Sequence, residues 1–171
     1  MIIITIQHDH ALDQPDELGR TRTGYREGMG SGELYEVARG SWKLGERAAG
    51  EHYALITFDN LVRQAVEIRR LVATVNGRSA IEGNVLNPGH PVYDEYVNKP
   101  SPVPSTQNPI RYFDSPIGHK PCGCGCGQLL ASGRFAAGHD QTALHQRVKQ
   151  IGTVDEFLDW FDAVAGPFVK D

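Results

Sequence analysis

Residues 53–68 read YALITFDNLVRQAVEI, and the reading of this stretch decides the fold. Tyr53–Phe58 is rich in β-branched and aromatic residues, and so is the start of Leu61–Ile68. Asp59-Asn60 between them has the composition of a two-residue hairpin turn. Leu61, Ala65, Ile68 and Val72 also fit a helical period, so a helix over Leu61–Val72 is the rival. The tight turn before Leu61 favours the strand.

Working outward, Ile2–Ile6 is a β-branched run, Leu34–Arg39 alternates, and Ser79–Gly83 and Val92–Val97 read as further short strands. Between the first two lies a polar stretch, Gln7 to Gly32. Its glycines at 24, 28, 30 and 32 mark it as a long loop. Lys99–Pro109 contains four prolines and cannot sit inside a sheet; it leads as an extended connection into a strand at Ile110–Phe113. Short strands punctuated by Gly, Pro and Asn point to a small β-barrel or sandwich. Ser115-Pro116 marks a boundary, which divides the chain into a β-barrel domain over 1–115 and a Cys/His module over 116–171. The expected class is α+β.

The second part announces two helices. Asp140 is placed to cap one running to Gln150, with Leu144, Val148 and Ile151 on one face and Gly152 as the stop. Thr153 and Glu156 form a capping box for the next. Its apolar stripe is Val154, Phe157, Leu158, Phe161 and Ala165, at a spacing that predicts packing against the rest of the protein. Trp160 falls off the stripe, at an edge or a partner contact.

The chain has 171 residues with 40% hydrophobic and 22% charged composition, typical of a globular protein with a real core. It contains no run of eighteen apolar residues and its N-terminus has no basic, then apolar, leader. No membrane association is expected, and an intracellular, cytoplasmic setting is the default. The net charge of −4 excludes a uniformly basic nucleic-acid binder. Charge is uneven, however: residues 116–150 carry +3, and 151–171 carry −4. Local patches act where the total does not.

All three cysteines fall within five residues, in PCGCGCGQLLASGRFAAGHDQTALH. An odd count so closely spaced argues against disulfides and for metal chemistry. Thiolates and imidazole complete a tetrahedral zinc shell. Two ligand sets fit: Cys122, Cys124, Cys126 and His139, or Cys122, Cys126, His139 and His145, the latter with finger-like spacing. The first is preferred, because it puts all three thiolates of the one loop to use. A closed four-ligand zinc is structural and contributes folding energy. A catalytic ion needs an open position and a nearby acid or base. Asp140 offers itself as one, but helix capping accounts for it equally. Unbound thiols in a glycine-rich turn are the plain alternative.

The Cys-Gly repeat followed by Phe135-Ala136-Ala137-Gly138-His139-Asp140 resembles a short cysteine–histidine module of phage and actinobacterial proteins, over about thirty residues. That resemblance implies zinc held by Cys122, Cys124, Cys126 and His139, with His145 outside the pattern, and an association with DNA-related proteins. Arg39-Gly40-Ser41-Trp42-Lys43, the 53–68 stretch and Asn108-Pro109-Ile110-Arg111-Tyr112 are together similar to an uncharacterised family loosely linked to PUA-like barrels, over about eighty residues. That class includes readers of modified bases.

Arg39, Trp42, Lys43 and Arg111 are types that combine phosphate contacts with a stacking surface, and they are the candidate nucleic-acid-binding residues. Plainer roles compete: Trp42 as core filler, Arg39 in a surface ion pair, Arg111 and Tyr112 fixed for the fold. The chain lacks GxSxG, P-loop, HExxH and Rossmann motifs. Asp94, Glu95 and Lys99 are weakly reminiscent of a nuclease set. His8 and His10 read more simply as a solvated loop pair than as metal ligands. The expected function is a zinc-containing nucleic-acid-binding protein. The rivals are a metal-dependent nuclease or hydrolase, gathering carboxylates with His8, His10 or His90, and a phage protein-interaction module using Trp160 and the acidic tail. The sequence leaves the oligomeric state open.

Overall fold

A computed structural model describes residues 1–167. In chain order its elements are β1 (Ile2–Thr5), β2 (His10–Ala11), β3 (Arg22–Thr23), α1 (Ser31–Ala38), β4 (Tyr53–Phe58), β5 (Leu61–Ala73), β6 (Ser79–Val85), α2 (Pro91–Tyr96), β7 (Ile110–Tyr112), β8 (Lys120–Pro121), β9 (Leu129–Leu130), α3 (His139–Ile151) and α4 (Val154–Ala165). The protein is a mixed α+β chain that divides into two compact units. The first is Met1–Lys120 with Ala131–Gly133; the second is Pro121–Leu130 with the chain from Arg134 onward.

The first unit is built on a sheet of order β6-β5-β4-β1-β7. The β4–β5 hairpin forms as expected, with Leu61 opposite Phe58. Asp59 and Asn60 take φ of 50° and 58°, the conformation that a two-residue turn requires and that Asp and Asn tolerate. β1 pairs in parallel with β4 and antiparallel with β7. A parallel neighbour requires a crossover, and the chain between Thr5 and Tyr53 supplies it, carrying α1 with it.

Both faces of the sheet are covered. Ile2, Ile4, Ala54, Ile56, Val66 and Ile81 pack with Leu34, Val37 and Ala38 of α1. Met1, Ile3, Tyr53, Leu55, Val62 and Ala65 pack with Val92 and Tyr96 of α2. Alternate residues of β1 and β4 therefore point into two different cores. This is why IIIT and YALIT are continuous apolar runs rather than alternating ones.

Several expectations are corrected here. The sheet is open, not a closed barrel: β6 and β7 are its two edges and do not pair with each other. Helices on both faces bury the apolar surface that a barrel would bury by closure. Leu34–Arg39 belongs to helix α1, whose buried Leu34, Val37 and Ala38 follow i, i+3, i+4 spacing. Val92–Val97 is mostly α2: Pro91 stands in its first turn and His90 caps it, Nδ1 accepting from the Val92 N–H at 3.2 Å. The 7–32 loop holds the β2–β3 ribbon.

In the second unit α3 is capped by Gly138 (φ 76°) rather than by Asp140, which stands in its first turn. The capping box of α4 forms as read, Thr153 Oγ1 accepting from the Glu156 N–H at 3.2 Å and the Glu156 carboxylate accepting from the Thr153 N–H at 2.7 Å. The stripe of α4 does not pack as expected. No α4 residue is buried, and Val154, Leu158 and Phe161 of the stripe are 61%, 50% and 46% exposed. Among the described residues no helix is long and apolar enough to cross a membrane.

Candidate metal centre and ligand cavity

The cysteine loop begins where Cys122 N–H donates to the Gln128 carbonyl at 2.8 Å, closing the segment into a tight turn. Gly125 and Gly127 inside it take φ of 83° and 80°, which a side chain would resist. The return strand leads to Phe135-Ala136, and His139 opens α3 with its N–H donating to the Ala136 carbonyl at 3.0 Å. These turns bring Cys122, Cys124, Cys126 and His139 together, with one ligand atom from each lying within 4.8 Å of all the others.

The spacing suits a tetrahedral ion. His139 Nδ1 lies 3.7, 3.3 and 3.4 Å from the Sγ atoms of Cys122, Cys124 and Cys126, and the Cys122 and Cys124 sulfurs are 3.4 Å apart. A tetrahedral zinc with ordinary bond lengths sets S···N separations at about 3.5 Å and S···S at about 3.8 Å. Around the cluster pack buried Ala143 and partly buried Leu130, Phe135 and Ala136. Cys122 and Cys124 are buried and Cys126 is exposed.

The electrostatics favour thiolate at two of the three cysteines, Cys122 and Cys126. The Cys124 backbone N–H, aided by that of Ala136 and the neighbouring side chains, holds the Cys122 thiol down at about 6. The Gln128 N–H lowers Cys126. The Cys126 N–H pulls Cys124 down, but burial and the two adjacent sulfurs together push it up. The Cys122 and Cys126 sulfurs raise His139. Among the described residues this is the one group of three or more Cys, His, Asp or Glu placed to hold an ion. His145, Asp140, His8 and His10 are exposed and outside it, and the half-buried His90 is outside it too.

Of the four candidate nucleic-acid contacts, Trp42 lines a cavity. That cavity, in the first unit, has a volume of about 330 Å³, and its wall includes Gln7, His10, Arg20, Ser41, Trp42 and Gln107. Trp42 follows Gly40, where an added Cβ would sit 2.9 Å from Ala80 Cβ, so glycine lets this loop lie against β6. The indole N–H donates to the Ala38 carbonyl at 2.7 Å, and the Trp42 N–H to the Ser79 carbonyl at 2.9 Å. The ring is thereby fixed and half-buried, with its N–H already used.

No family model matches this chain, and no curated protein or solved structure matches it.

The remaining candidates have local partners. Arg39 ends α1 and pairs with Glu36 at 2.7 Å. Lys43 is exposed. Arg111 donates to the Val103 carbonyl at 3.0 Å and to Thr5 Oγ1 at 2.8 Å, tying the proline-rich segment to β1, and burial lowers its pKa. Trp42, Arg39, Lys43 and Arg111 thus do not share a wall of the cavity. Its arginine is Arg20, oriented by Asp16 at 2.7 Å and by the Val37 carbonyl at 2.9 Å. Nothing in the local pattern marked Arg20, Gln7 or Gln107. The nuclease-like residues also have structural partners: Asp94 accepts from the Gly89 N–H at 3.0 Å, and Glu95 faces Lys99 at 3.9 Å.

Proposed function

We propose that this protein binds nucleic acid by receiving a single base in the cavity beside Trp42, and that its C-terminal module is held together by one structural zinc ion at Cys122, Cys124, Cys126 and His139. The carrying observation is the cavity itself: an immobilised indole beside Gln7, His10, Ser41 and Gln107, in a volume of about 330 Å³. An aromatic face stacks on any base, and amide, imidazole and hydroxyl groups read its edges. The centre has four protein ligands and no open position, which supports a structural role for the ion.

The test is fluorescence titration of a Trp160→Phe chain, whose sole tryptophan is Trp42, with single-stranded DNA and RNA at two salt concentrations. The expected result is saturable quenching that weakens with salt and binding that falls about tenfold or more in Trp42→Ala, as expected for one lost stacking contact. Undetectable binding, or equal binding by Trp42→Ala measured by anisotropy, overturns the proposal. A second reading, as a protein-interaction module, is favoured by the exposed Leu158, Trp160, Phe161 and Val164 on α4. Recovery of a protein partner after nuclease treatment, lost in Phe161→Asp, supports that one.

A further inference from the structure

A second cavity in the first unit has a volume of about 210 Å³ and is lined in part by Tyr25, Ser31, Arg63, Gln64, Tyr93 and Asn98. It differs from the Trp42 cavity in every lining residue. Three features converge on it. The Arg63 guanidinium lies over the Tyr25 ring at 4.9 Å, and among the described residues no carboxylate lies within ion-pair distance of it. Its Nε is buried without a hydrogen-bond partner. Second, Ser31 is the first residue of α1, whose N-cap Gly30 supplies no side-chain cap, so the N–H groups of that turn are not satisfied by a side chain. Third, Gln64 is 4% exposed; its Nε2 donates to the Ser31 carbonyl at 2.7 Å and to Ser31 Oγ at 3.0 Å, while its Oε1 is buried without a partner.

An unpaired cation beside a helix N-terminus favours an anion. A buried, unpartnered amide oxygen is an acceptor and is satisfied only by a donor. The two demands together select an oxyanion that itself carries an O–H. We infer that this cavity binds hydrogen phosphate, with Arg63 and the first turn of α1 facing its charged oxygens and its O–H donating to Gln64 Oε1. Sulfate has the same shape and charge but no proton at neutral pH. A phosphomonoester, whose second pKa is about 6, has largely lost its proton at pH 7.5. The cavity therefore discriminates by a proton rather than by size.

Isothermal titration of the full chain at pH 7.5 with sodium phosphate, sodium sulfate and methyl phosphate at matched ionic strength tests this. The expected result is one saturable phosphate site, with sulfate and methyl phosphate each about tenfold or more weaker, the penalty for leaving a buried acceptor unpaired. Arg63→Met, which keeps the stem packed on Tyr25, is expected to lose phosphate binding by about tenfold or more with an unchanged far-ultraviolet circular dichroism spectrum. Absence of saturable phosphate heat, or sulfate binding as tightly as phosphate, overturns the inference on the unmodified chain alone. So does a folded Arg63→Met that binds phosphate as the parent does.

Discussion

Removing the metal should unfold the second unit and leave the first intact. The buried core of the second unit consists of Cys122, Cys124 and Ala143, with Leu130, Phe135 and Ala136 partly covered. Two of those three buried residues are proposed zinc ligands. α4 contributes no buried residue at all, and helices shorter than about 12–15 residues are marginal without packing. A structural zinc supplies on the order of 10 kcal/mol or more to such a module, which its small core does not replace. The loss is measurable because helix is unevenly distributed. α3 has 13 residues and α4 has 12, against 8 in α1 and 6 in α2. Chelation with excess EDTA should therefore remove roughly two-thirds of the α-helical signal at 222 nm. The buried β1–β4–β5 core should keep its near-ultraviolet signal and its cooperative denaturant transition. Elemental analysis should give one zinc per chain, lost in Cys124→Ala and kept in His145→Ala. A chelated chain with undiminished helix would refute the argument, and so would zinc retained without Cys124.

Ile56 is 1% exposed at the centre of the sheet, between β1 and β5; Ile56→Ala should cost about 3 kcal/mol in the urea unfolding of the first unit. Thr153→Ala removes the capping box and should cost α4 about 1 kcal/mol, read as lost helical signal with zinc still bound. Lys120 donates to Glu67 at 2.6 Å and holds its carboxyl below the ordinary glutamate value, while burial partly opposes it. The pair's stabilisation is therefore complete above the unfolded glutamate value near 4.5 and is lost as pH falls through the lower folded value. Glu67→Gln should flatten the acid limb of a stability–pH curve. The Trp42 cavity is lined wholly by residues of the first unit, so nucleic-acid binding should survive chelation; its loss together with the zinc would place the binding surface on the module instead.

What is legible in the sequence is what short stretches determine. Asp59-Asn60 specifies its own turn, because both residues tolerate positive φ and few others do. The cysteine–histidine cluster is equally local: three of its members fall within five residues, and the fourth is the first residue of the next helix. Leu34–Arg39 and Val92–Val97 read as strands yet fold as helix, because six residues hold too few turns to separate a period of 2 from one of 3.6. In both segments the decisive contacts are with sheet residues far along the chain. Closure of the sheet is illegible for a related reason. Strand count does not fix whether two edges meet, and here α1 and α2 cover the faces instead.

The cavity beside Trp42 shows where local reading stops. Its wall is assembled from Thr5–Gln7 and His10, from Arg20, Thr23 and Gly24, from Gly40–Trp42, and from Thr106, Gln107 and Pro109. The glycine-rich and proline-rich segments that read as mere connections supply most of it. Loops carried on a rigid sheet are where binding groups concentrate, so the stretches with the weakest periodic signal hold the strongest functional claim. The strongest motif, the cysteine cluster, has the opposite character. On the proposed zinc reading four ligands would close its shell, and buried Ala143 with partly buried Leu130, Phe135 and Ala136 packs around it. Such a centre organises the chain around itself and offers a ligand no open position, which is why the functional proposals rest on the first unit rather than on the motif that is easiest to see.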